Sequence, residues 1–101
     1  MRPYEHLRED SPAEARDMLD RIREFCLGLG DMVVEDVRAH RMVYGKSMIY
    51  RWFADIEPRE NHLVVRTQRS RREGPHHITI QYDGDAAPAM NQIREAFEAI
   101  R

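Results

Sequence analysis

Four arginines, Arg66, Arg69, Arg71 and Arg72, fall within seven residues, and His76 and His77 follow closely. Guanidinium groups present forked donors that match phosphate and carboxylate oxygens. Arg51 and Arg59 belong to the same stretch of strand-like sequence, where Tyr50, Trp52 and Phe53 offer rings for stacking. Together the six arginines form a candidate anion- or partner-binding set, able to meet nucleic-acid phosphates or an acidic protein surface. Glu57, Glu60 and Glu73 are interleaved with them. The plain alternative is therefore a solvated loop whose arginines pair with neighbouring acids.

Other chemistry is poorly supported. Neighbouring residues on a strand point to opposite faces, so His76 and His77 cannot grip one ion together. His40 and His62, with Asp83 or Asp85, have no spacing that by itself makes a metal site. Asp55 and Glu57 share a strand face, but Arg59 stands where a metal-dependent nuclease needs a lysine; Lys46 has Tyr44, not an acid, two residues before it. Cys26 lies on the apolar stripe of a helix, where a thiol behaves as a small hydrophobe. Ser11, Ser47 and Ser70 lack a nucleophile-elbow setting. Gly28-Leu29-Gly30 follows a helix instead of preceding one, so it does not cradle phosphate. The reading is non-enzymatic, with no catalytic residues, no metal and no cofactor expected.

These side chains need a scaffold. Residues 1–10 carry Pro3 and no sustained periodicity, and read as an N-terminal arm. Ser11-Pro12-Ala13-Glu14 has the form of a helix start, with Ser11 as cap. Ala15, Leu19, Ile22, Cys26 and Leu29 then recur at helical spacing, widened by Met18 and Phe25. Gly28 and Gly30 are expected to close this helix with positive φ. Strand patterns follow at 32–44 (as one strand or as two broken near Arg38), 48–56, 62–68 and 77–82. On the 48–56 strand, period two puts Met48, Tyr50, Trp52, Ala54 and Ile56 on one face. Residues 86–101 form a closing helix with Ala86, Met90, Ile93, Phe97 and Ile100 on one side.

The expected fold is α+β and single-domain over 11–101: an N-terminal helix, an antiparallel sheet of three to four strands, and a C-terminal helix. Both helices cover one sheet face. The core should hold Leu19, Ile22, Phe25, Cys26, Ala54, Ile56, Leu63, Val65, Ile78, Ile80, Ile93 and Phe97. Ile49, Phe53 and Val64 then lie on the uncovered face, as a contact for a protein partner or for a second copy in a homodimer. Alternatively the aliphatic arms of Arg51 and Arg66 cover that face.

Composition agrees with a compact domain. The chain has 101 residues, 42% hydrophobic and 34% charged. The net charge of −2 argues against bulk attraction to nucleic acid. Charge is segregated: residues 1–40 hold ten acids and six bases, whereas residues 41–80 hold eight bases and four acids. With one cysteine there is no intrachain disulfide, and no apolar run spans a membrane. No secretory leader is apparent at the N-terminus, so a cytoplasmic location is expected.

Tyr44, the run Phe53-Ala54-Asp55-Ile56-Glu57-Pro58-Arg59, and Leu63-Val64-Val65 resemble a family of small bacterial and archaeal domains of unknown function. Members of that family are often labelled "predicted transport protein". Leu27-Gly28-Leu29-Gly30 and Ile93-Arg94-Glu95-Ala96-Phe97 are similar to it as well. The resemblance runs from about Ser11 to the end and implies an α+β layer fold; it brings no catalytic residue. The segment 45–52 is longer than the family's usual hairpin, and 69–75 is a different loop. The function expected from the sequence is that of a small non-enzymatic binding or interaction protein. The alternative is a nucleic-acid-binding accessory protein using the arginine-rich loop, and a metal-dependent activity built on His40 and His62 stands third.

Overall fold

The structure, a computed structural model, describes residues 3–46, 51–70 and 72–100. The chain runs through α1 (Tyr4–Asp10), a 3-10 turn (Ala13–Ala15), α2 (Arg16–Leu27), five strands and α3 (Ala87–Ala99). The strands are β1 (Val33–Val37), β2 (Met42–Lys46), β3 (Arg51–Pro58), β4 (His62–Thr67) and β5 (His76–Gln81). Each pairs antiparallel with the next, giving one sheet in the order β1-β2-β3-β4-β5. The fold is α+β, with five strands instead of three to four. The 32–44 run is divided in two by a tight turn in which the Arg38 amide donates to the Arg41 carbonyl at 2.8 Å.

The segment expected as an arm forms α1, and Tyr4 and Leu7 on its inner side are buried. Charge chemistry holds it down: Arg8 binds Asp20 of α2 through Nε at 3.0 Å and Nη2 at 3.1 Å, and the Tyr4 hydroxyl donates to the same carboxylate. Ser11 does not cap α2. Its hydroxyl donates back to the Leu7 carbonyl at 2.6 Å and closes α1. The positive φ expected at Gly28 and Gly30 is also absent: Gly28 has φ −81°, and among the described glycines only Gly74 has a positive φ, at 66°.

Strand alternation turns Leu63, Val65 and Thr67 of β4 toward the helices, as the spacing requires. β3 departs from simple alternation. Tyr44 pairs with Ala54, but Gly45 pairs with Trp52, so Phe53 is an extra residue in a bulge. Phe53 therefore joins Ala54 and Ile56 in the core and is fully buried there, which corrects its assignment to the open face; Trp52, which period two puts on the face of Ala54 and Ile56, is half-buried. A Cβ on Gly45 would lie 3.0 Å from the Arg51 carbonyl oxygen, so glycine permits this close approach. Ile49, Met48, Tyr50 and Ser47 lie outside the described residues.

One apolar cluster lies between the helices and the sheet. Leu19, Ile22, Cys26, Ala54, Ile56, Leu63, Val65, Ile80 and Ile93 are buried in it, with Phe25, Ile78 and Phe97 packed at its margin. Tyr4, Leu7, Met42, Tyr44, Phe53 and Ile100 belong to it as well. All three helices share this side, and the other face of the sheet carries none.

Candidate functional site

The uncovered sheet face is a layer of paired charges. One row crosses all five strands as Asp36, Val43, Asp55, Arg66 and His77. Two residues further along, Glu57 stands beside Val64 and Thr79. Arg41 Nη1 reaches Asp55 Oδ2 at 3.0 Å, and its Nη2 lies 3.6 Å from Glu57 Oε1. Arg66 Nη1 binds the same Glu57 oxygen at 3.0 Å and lies 4.0 Å from Asp55 Oδ1, while Arg59 reaches Glu57 at 3.4 Å. Burial alone would raise the Glu57 carboxyl, but the hydrogen bonds from Arg66 and Arg59 more than reverse this and hold it below its ordinary value. Asp55 Oδ1 is buried and accepts no hydrogen bond. Val43 and Val64 are nearly fully buried on this face although no helix covers them. They sit within a layer of long paired side chains, so Val64 offers no exposed apolar contact.

The six arginines of the sequence reading are dispersed. Arg51 opens β3, Arg59 lies past its opposite end in the β3–β4 hairpin, and Arg66 is mid-sheet. Arg69 and Arg72 are in the loop between β4 and β5; Arg71 lies outside the described residues. Arg69 Nε is 3.3 Å from Glu73 and its Nη1 is 3.9 Å from Glu95 of α3. Arg72 is exposed and forms no ion pair among the described residues. Arg41, which the sequence reading passed over, is central to the network. Its signal was the pair Asp55 and Glu57, two acids on one strand face that need cations from a neighbouring strand.

On the helix side a groove of about 500 Å³ opens between the β4–β5 loop and α3. Thr67, Arg69, His76, Gln92 and Glu95 line it, together with Pro75 and His77. Pairing in register puts Ala54, Thr67 and His76 in one row on this side, whereas His77 pairs with Arg66 on the open face. The two adjacent histidines thus belong to alternate rows of the sheet, although both line the groove.

Among the described residues, no three His, Cys, Asp or Glu side chains gather closely enough to hold a metal ion. The lone lysine, Lys46, donates to the Ile100 carbonyl and lies 4.2 Å from the Phe97 ring centroid, which gives it a structural position. Cys26 is fully buried, and burial raises its thiol well above the ordinary value. No described helix is long and apolar enough to cross a membrane. Comparison with family models, curated proteins and solved structures finds no match to this chain.

Proposed function

We propose that this protein is a non-enzymatic binding domain that recognises an acidic protein surface through Arg41, Arg59 and Arg66 on the uncovered sheet face. The observation that carries this reading is three guanidinium groups held over two carboxylates, Asp55 and Glu57. Each guanidinium has five N–H donors and makes one hydrogen bond to these carboxylates, so donors remain for a partner. The ion pairs fix the groups in advance, which lowers the ordering cost of association. A face bearing both signs is also able to meet a second copy of itself, which is the homodimeric form of the same reading. Membership of the domain family resembled by the Phe53–Arg59 run, and a cytoplasmic location, belong to this proposal.

Nucleic-acid binding is the second reading, supported by the exposed Arg72 beside Arg69 in the β4–β5 loop. A fluorescent glutamate-rich peptide and a labelled oligonucleotide, titrated at two salt concentrations, separate the two. Peptide binding that disappears in the Arg41→Gln/Arg59→Gln/Arg66→Gln variant supports the sheet face. Oligonucleotide binding whose salt slope falls by about one unit on Arg72→Gln would establish the second reading instead. Binding of neither at low salt would sink both.

A further inference from the structure

The groove beneath α3 has features that the sheet-face reading does not use. Thr67 is only 2% exposed and lines the groove. Arg69 enters from the loop, His76 from β5 and the Gln92 amide from α3, so four elements supply polar groups to one concave space. The groove's volume lies in the range of sites for small molecules.

Charge narrows the ligand. Arg69 is engaged only through single contacts, 3.3 Å to Glu73 and 3.9 Å to Glu95, between side chains 44%, 47% and 62% exposed. Such exposed pairs contribute little and are easily exchanged. His76 Nε2 lies 3.7 Å from Glu73, so the acid that Arg69 meets in its own loop also faces His76. A phosphate or carboxylate group that takes Arg69 through two parallel N–H bonds makes a stronger contact than either acid does. Thr67, His76 and Gln92 add donors to the remaining oxygens. We propose that this groove binds a small ligand through an oxyanionic group, phosphate or carboxylate, with Arg69 as the charged anchor and Thr67 as a hydroxyl donor. Glu95 acts as an internal competitor that occupies Arg69 when the ligand is absent. The site is on the opposite side of the sheet from Arg41, Arg59 and Arg66, so it stands or falls independently of their role.

The test is amide NMR of the full chain titrated separately with inorganic phosphate and with succinate. Saturable shifts should appear around Thr67, Arg69, His76 and Gln92, and the probe that saturates first identifies the oxyanion. Arg69→Gln should weaken binding about tenfold or more, the scale of losing a charged hydrogen-bonded anchor. Thr67→Val should weaken it and Thr67→Ser restore it, while Glu95→Gln should tighten it by removing the competitor. Arg69→Gln and Glu95→Gln alter exposed positions, so they decide the matter even if Thr67→Val fails to fold. The proposal is overturned if neither probe gives saturable shifts there by about 10 mM, well beyond a millimolar dissociation constant. Shifts confined to the Arg41, Arg59 and Arg66 face, or weaker binding by Glu95→Gln, would overturn it too.

Discussion

Phe53 meets Phe97 edge to face, with ring centroids 5.2 Å apart and an interplanar angle of 75°. The contact joins β3 to α3 and depends on the bulge that gives β3 one residue more than its partner. Two further residues complete the setting. Lys46 lies over the Phe97 ring, and a Cβ on Gly30 would come within 3.1 Å of its Cζ. The close of the first long helix, the bulge and the last helix therefore converge on one aromatic ring.

Phe53→Ala should lower stability by about 3–5 kcal/mol, as loss of a buried ring does. Urea denaturation would measure it. A loss below about 1 kcal/mol, typical of surface positions, would return Phe53 to the open face of the sheet.

This bulge also marks where the sequence ceased to be legible. Strict period two is a property of an unbroken ladder, and on that rule Phe53 had to face away from Ala54 and Ile56. The long helix, the 62–67 strand and the closing helix were readable because their apolar residues recur without interruption. α1 was not: its buried face consists of Tyr4 and Leu7 alone, and its anchor, Asp20, lies in another helix. The arginine set was readable as composition but not as geometry. Arg59, Arg66 and Arg69 were found by counting cations, yet only pairing in register shows that Arg66 and Arg59 share Glu57 while Arg69 lies in the loop beyond β4. Thr67 carries no sequence signal, because it matters through a strand and a helix remote in the chain, and Arg41 is signalled only indirectly, by the two acids Asp55 and Glu57 that it pairs with.

Acid should unfold the protein through two carboxylates in particular. Hydrogen bonding from Arg8 holds Asp20 below its ordinary value, and Glu57 is held low against burial by Arg66 and Arg59. A depressed carboxyl contributes stability that is present above its unfolded pKa, about 4, and is lost as pH falls through the lower folded value. Stability should therefore decline below about pH 5, the upper edge of that window. Asp20→Asn and Glu57→Gln should each flatten this acid limb while lowering stability at neutral pH. Acid limbs of equal slope in the parent and both variants would show that these pairs do not govern it.

Cys26 should be inert in the folded protein. Its side chain is fully enclosed, and burial disfavours the thiolate that reacts. Labelling by a disulfide reagent should appear only as urea unfolds the chain, following the same transition as circular dichroism. Stoichiometric labelling of the native protein within seconds would contradict the burial.

The last expectation concerns the buried phenol of Tyr44, which donates to Glu35 Oε2 at 2.7 Å. Glu35 is also held by Arg23 through two contacts, 2.8 Å from Nε and 3.2 Å from Nη2. Arg23 in turn stacks over the Tyr4 ring at 4.4 Å, so one carboxylate links β1, β2, α2 and α1. Burial, strengthened by the hydrogen bond to Glu35, raises the Tyr44 phenol above its ordinary value, so it remains a donor at any moderate pH. Tyr44→Phe removes one donor but leaves Glu35 its arginine, and should cost about 0.5–1.5 kcal/mol. Glu35→Leu should cost more, because it strands both a buried hydroxyl and a half-buried guanidinium. The double variant should then be less destabilised than the two single losses added, with a coupling of about 0.5–3 kcal/mol, since removing both partners leaves no orphaned phenol. Additive losses in a urea-denaturation cycle would mean that Tyr44 and Glu35 act separately and that the hydrogen bond does not join the sheet to the helices.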